Sequence, residues 1–237
     1  MLNKKYLKKF FFLNTLFFMH SSKCIIDEES LYDAKNIDMQ VATGLNENQL
    51  IPILNFLKKE ETNCSWVEEY HIITDLLRNM NLKIGCEIGV AYGFQSKFFL
   101  ENSSIVKLYS IDPYQHFGDY DDFMNFPQHY FDTLFYRVQK RLSIFDQRSV
   151  LLRKKSVEAS SMFEDQSLDF VYIDANHSYK AVTEDLVAWV PKIRPGGLVS
   201  GDDYRVFPST AKAVDEFVTK NNIKLHTFKN KWWFIKP

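Results

Sequence analysis

Cysteine is scarce in this chain, three residues in 237, namely Cys24, Cys64 and Cys86. An odd count without metal-site spacing supports neither a disulfide framework nor a zinc site. Cys86, inside an apolar run, reads as a buried small hydrophobe. Charge of one sign is lacking too: 29 Lys and Arg stand against 30 Asp and Glu, interspersed along the chain. No single-sign field argues for nucleic acid as a partner, and a small-molecule ligand fits better. The apolar run from Phe10 to Met19 is too short to span a bilayer comfortably and is interrupted by Asn14 and Thr15.

The length suits one α/β domain with an N-terminal extra. Lys4, Lys5, Lys8 and Lys9 precede FFFLNTLFFM and then His20, Ser21 and Ser22. That order reads equally as a secretory signal, a membrane-surface segment over residues 1–24, or a plain N-terminal helix. A cytoplasmic location is the expectation, with export or weak membrane association as the variant that this N-terminus allows. Residues 25–45 read as a linker or loosely packed arm. The domain then occupies 46–237. Leu50, Ile51, Ile53, Leu54 and Leu57 suit one helix face, and Trp66, Val67, Tyr70, Ile73, Thr74 and Leu77 another; these helices could pack on a partner copy, making a homo-oligomer, or on their own sheet.

Strands are expected at 83–88, 106–111, 149–153, 169–173 and 198–201, with helices at 95–101, 128–145, 157–163 and 178–190 between them. Such alternation argues for parallel βαβ units. The runs 223–228 and 232–235 are joined across Lys229, Asn230 and Lys231, so a hairpin must close the sheet antiparallel. In the helix at 178–190, Val182, Leu186, Val187 and Val190 form the expected buried stripe, and Arg137, Lys140, Arg141 and Arg148 read as a solvated face.

Ligands of open α/β sheets gather outside the carboxyl ends of the strands. Asp174 and His177 in VYIDANHSY, and Asp202 and Asp203 in GLVSGDDY, fall at such ends and look like a catalytic rim. Upstream, EIGVAYG places Glu87 at a strand end, followed by Gly89 and Gly93, which allow a tight turn and close approach to a ligand. Asp112 in YSIDPY, twenty-three residues after Gly89, is positioned to accept from ribose hydroxyls. The third glycine of a dinucleotide turn is absent, which favours a nucleoside without pyrophosphate and ranks an NAD enzyme last. The plain alternative is a tight βα turn with a capping acid. The aromatic stretch from His116 to Tyr130, with Phe117, Tyr120, Phe123 and Phe126, reads either as a substrate lid or as a packed surface loop.

From about Trp66 to the C-terminus the chain resembles the class I S-adenosylmethionine-dependent methyltransferases, in the group of catechol-type, metal-dependent and sugar O-methyltransferases. EIGVAYG, YSIDPY, KKSVEASSMF, LDFVYIDANHSY and IRPGGLVSGDDY carry the resemblance, in family order. It implies a Rossmann-like seven-stranded α/β sheet, mostly parallel with an antiparallel C-terminal hairpin and helices on both faces. It also places Glu87 near the methionine amino group, Gly89 and Gly93 in the methionine turn, Asp112 at the ribose, and Ser156 and Val157 beside the adenine; Ser156 could equally cap its helix.

The same resemblance puts Mg2+ at Asp174, Asp202 and Asp203, all-oxygen ligands that suit a hard cation. Asp203 stands where the family often has Asn. His177, three residues past Asp174, occupies the position of a general base, or caps the helix after it. The expected activity is methyl transfer from S-adenosylmethionine to a hydroxyl of a sugar or other small polar acceptor, assisted by magnesium. The alternatives are a metal-independent small-molecule methyltransferase and a nucleoside-binding scaffold without catalysis.

Overall fold

A computed structural model describes residues 28–62, 69–118 and 124–237. The signal-like segment 1–24, together with Cys24, Cys64, Trp66, Val67, Tyr120 and Phe123, lies outside the described residues. After a 3-10 turn at Glu28–Tyr32 come helices α1 (Ile37–Thr43), α2 (Glu47–Thr62) and α3 (Tyr70–Asn79). The alternating part then runs β1 (Ile84–Ile88), α4 (Phe94–Asn102), β2 (Lys107–Ile111), α5 (Gln128–Leu142), β3 (Ser149–Leu152), α6 (Ser156–Ser160), β4 (Leu168–Ile173), α7 (Tyr179–Trp189) and β5 (Ile193–Gly201). Helix α8 (Pro208–Lys220) precedes the hairpin β6 (His226–Phe228) and β7 (Lys231–Ile235).

The seven strands lie in the order β3-β2-β1-β4-β5-β7-β6. Strands β1 to β5 pair in parallel, while β7 pairs antiparallel with both β5 and β6. This is the Rossmann-like sheet expected from the sequence. Short apolar strands such as β1, whose last four residues are all buried, need cover on both faces. One face is covered by a cluster that includes Leu57, Leu77, Phe99, Leu134 and Val138, the other by Cys86, Val171, Leu186, Trp189, Val214 and Trp232. The chain winds outward from β1 to β3, then returns to place β4 beside β1. The crevice at that reversal, at the carboxyl ends of β1 and β4, is where a ligand belongs.

Several expectations are corrected. Residues 28–43, read as a loose arm, form the first turn and α1; Leu31 is buried, and Ala34 and Met39 pack against Leu50, Leu54 and Tyr136. Helix α8 was missed, and the run 223–228 is a strand only in its last three residues. Ile51 and Val187 lie on exposed faces, at 43% and 62%. The helix read at 128–145 stops at Leu142 in a 3-10 turn, and the one read at 157–163 spans only Ser156–Ser160.

The largest correction concerns the basic face of α5. Arg137 and Arg141 are 0% and 1% exposed. Both reach Glu61 at the end of α2: Arg137 Nη1 lies 2.6 Å from Oε1, and Arg137 Nη2 and Arg141 Nη2 each donate to Oε2 at 3.0 Å. Tyr32 also donates its hydroxyl to Oε2, and burial with this bond pushes the phenol up to about 12. Removing one partner from such a cluster strands a buried charge. Arg137→Ala is therefore expected to cost about 3–5 kcal/mol of stability, read as a lower urea midpoint at unchanged slope.

Candidate active site

The turn after β1 is a dense knot of backbone bonds. Gly89 has φ +87, and a Cβ there would fall 1.9 Å from the Asp174 carbonyl oxygen. Only glycine fits, because both the conformation and the space exclude a side chain. Gly93, at φ +77, caps α4 and faces Val138 at 2.8 Å from its missing Cβ. The Asp112 carboxylate accepts from the amides of Val90 at 2.9 Å, Ala91 at 3.1 Å and Tyr114 at 2.8 Å. Desolvation raises its pKa against the pull of those amides. Its oxygens retain lone pairs for further donors, so the capping role and the ribose role are compatible.

Glu87 is 1% exposed and accepts a hydrogen bond from Ser96, whose hydroxyl is 2.9 Å from that of Ser110. Desolvation, with the charges of Asp174 and Asp112, holds its carboxyl well above the usual range. Gln95, in the first turn of α4, was missed by the sequence reading. Its side-chain amide nitrogen is buried without a partner, a donor beside the free N–H groups of a helix start. Ser156 is neither cap nor open edge: its hydroxyl donates to Asp185 and accepts from Trp189 Nε1 at 2.8 Å. Val157 is half exposed, at 50%. In the aromatic stretch, Asn125 bridges Phe117, accepting from its amide at 3.0 Å and donating to its carbonyl at 2.6 Å.

The rim lies across the crevice. Asp174, directly after β4, donates its amide to Ile88 at 2.7 Å. His177 Nε2 lies 2.7 Å from Asp203 Oδ2, and the imidazole stacks on Phe207 at 4.1 Å and 5°. Ligand atoms of Asp174, His177 and Asp203 all lie within 4.8 Å of one another. Asp202 is not brought into that group. Its carboxylate pairs with Lys231, a residue 1% exposed, and accepts from the Tyr172 hydroxyl at 3.3 Å. The Asp202 carbonyl accepts from Trp232 Nε1 at 3.0 Å. Thus two of the three acids read as metal ligands converge, His177 joins them, and a lysine of β7 takes the third.

A family model described as a methyltransferase domain matches residues 84–204. The chain belongs to this methyltransferase family. It is an S-adenosylmethionine-dependent enzyme by class. No curated protein matches it. Solved structures share its fold at low identity. A Staphylococcus aureus protein described provisionally as a caffeoyl-CoA O-methyltransferase is similar at 16% identity and TM-score 0.59, over 90% of this chain and 100% of the other. A Klebsiella pneumoniae protein described provisionally as an O-methyltransferase gives 14% and 0.54, over 98% and 96%. A Streptococcus mutans methyltransferase, so described provisionally and solved with SAH, gives 10% and 0.52, over 70% and 97%. Among the described residues of this methyltransferase, no helix is long and apolar enough to cross a membrane.

Asp174 carries a titration signature. Desolvation first, then the charges of Asp202 and Asp203, raise its pKa from 3.8 to about 8, against Lys231 and His177. A raised acid stabilises the fold fully below its unfolded pKa, and that contribution is lost as pH rises through the folded value. The stability of Asp174→Asn relative to wild type, measured by urea unfolding in chelator, is therefore expected to improve from pH 5 to pH 8 and level off above it.

Proposed function

We propose that this methyltransferase transfers the methyl group of S-adenosylmethionine to a hydroxyl of a sugar or other small polar acceptor, with His177 as the base. The observation that carries this reading is the juxtaposition, across one crevice, of the Gly89–Gly93 turn with the rim of Asp174, His177 and Asp203. Glu87 and the orphaned Gln95 amide suit the ammonium and carboxylate of the methionine part, and Asp112 suits the ribose. For Ser156 and Val157 the adenine role rests on the resemblance. Asp203 and the Phe207 ring orient the imidazole at the rim, which suits His177 to take a proton from the acceptor hydroxyl. Attack of that oxygen on the methyl carbon breaks the carbon–sulfur bond and leaves S-adenosylhomocysteine.

Asp174 and Asp203 fit a divalent cation such as Mg2+, because their carboxylate oxygens are hard donors whose ligand atoms converge with that of His177 to within 4.8 Å. When bound, the cation would orient the acceptor hydroxyl and lower its pKa. A second reading, metal-independent transfer, is favoured by Lys231, whose ammonium already neutralises Asp202. Insensitivity of turnover to chelator would select it.

Titration of the protein with S-adenosylhomocysteine tests the donor site. Asp112→Ala is expected to weaken binding by about 10- to 100-fold, the worth of a charged hydrogen-bond acceptor. On a panel of sugar and catechol acceptors, His177→Ala is expected to keep that binding and lose about 10²- to 10⁴-fold in turnover. Unchanged turnover would remove the base assignment.

A further inference from the structure

The glycine turn that faces the donor crevice is held from three sides. Gly89 donates to the Ile111 carbonyl at 2.9 Å and Gly93 to Val90 at 2.8 Å. Asp112 takes the amides of Val90 and Ala91. The Tyr114 hydroxyl donates to the Ala91 carbonyl at 2.9 Å. The Tyr92 carbonyl accepts from Arg141 Nη1 at 2.5 Å. Ala91 itself sits at φ +46, a conformation that costs a non-glycine residue free energy and persists only where its surroundings over-determine it.

Arg141 is in turn fixed. Its Nη2 donates to Glu61 Oε2, and its guanidinium carbon lies 4.5 Å from the centre of the Phe94 ring, one residue past the turn. Glu61 is held by Arg137 and Tyr32, and Arg137 Nε donates to the Leu31 carbonyl at 3.0 Å. A continuous chain of charged hydrogen bonds therefore runs from the segment before α1, through the end of α2, to the backbone of the donor turn. Glu61 touches no part of the crevice directly. An Arg fork can serve a carboxylate and a carbonyl at once because its donors point in fixed directions, whereas a lysine offers one point charge.

We propose that Glu61 and Arg141 are positioning residues for donor binding: Glu61 orients the Arg141 guanidinium, and Arg141 holds the Tyr92 carbonyl so that the turn keeps its ligand-ready shape. The inference rests on the reading of Gly89–Gly93 as the donor turn. Its consequence is that the N-terminal helices, outside the matched segment 84–204, are a working part of the donor site.

The test is calorimetric titration of the full chain with S-adenosylhomocysteine, alongside thermal melts. Wild type is expected to bind. Glu61→Gln and Arg141→Lys are each expected to raise the dissociation constant about tenfold or more, as a displaced binding element does. Leu50→Ala, a cavity in the same helix α2 away from the turn, is expected to lower the melting temperature and leave the constant within twofold. Folded Glu61→Gln and Arg141→Lys proteins that bind within twofold of wild type would overturn the proposal and leave the donor site standing. Absence of binding by wild type would overturn both.

If neither variant folds, native-state hydrogen exchange of wild type decides. The amides of Val90, Ala91 and Gly93 are expected to open with the free energy and denaturant slope of α2. Opening of the turn at a lower free energy, separately from α2, would overturn the proposal.

Discussion

The contact between the ends of β1 and β4 is the constraint on which the rest of the site depends. The Asp174 amide donates to Ile88, and its carbonyl oxygen occupies the place a side chain on residue 89 would take. Two consequences follow from that one approach. The chain must leave β1 in a left-handed turn, which points the start of α4 toward the crevice. The rim of β4 and β5 must also stand immediately beside that turn, so in the proposed reaction a methyl donor held at the turn would have the rim as its neighbour. In that reaction, alignment of nucleophile, methyl carbon and sulfur would follow from the sheet, and positioning of this kind is the main source of rate for such a transfer.

The cost of the arrangement is a crowd of carboxylates, and each is handled by a different device. Glu87 is buried with a serine hydroxyl, and desolvation favours its neutral form. Asp112 is surrounded by three amides. Asp202 has a lysine, and Asp203 an imidazole. Asp174 is left with the more distant charges of Lys231 and His177, and these do not offset desolvation and two neighbouring acids. It is therefore a group at which a proton, a cation or a polar acceptor gains on arrival, in keeping with the rule that strongly perturbed groups gather where chemistry is done.

The strands, the antiparallel ending and the order of the site motifs were legible in the sequence, because apolar runs bounded by Gly, Asp and Pro report local burial directly. What escaped was set by contacts distant in sequence. Arg137 and Arg141, spaced i and i+4 on an amphipathic helix, have the signature of a solvated face. Their burial depends on Glu61, 76 and 80 residues away. Lys231 sits beside a hairpin turn, where lysine is ordinary, yet β7 carries it under the rim. Asp202 and Asp203 are consecutive, and successive side chains at a strand end diverge; one meets His177 and the other Lys231. The missed helix α8 is an exception, because Ala213, Val214, Phe217 and Val218 already carry the spacing of one helical face.

The segment that carries the family match supplies the acids and the glycine turn, but part of what balances them lies outside it. Lys231, which pairs with Asp202, is contributed by β7, and Glu61, which pairs with both buried arginines, by α2. An isolated 84–204 unit would contain the residues of the turn and the rim while stranding Asp202 without a cation and two guanidinium groups without a carboxylate. Uncompensated buried charge is among the most destabilising states a protein can hold. The flanking helices and the closing hairpin are therefore electrostatic parts of the catalytic domain, and a boundary drawn at the edge of the family match would cut through its ion pairs.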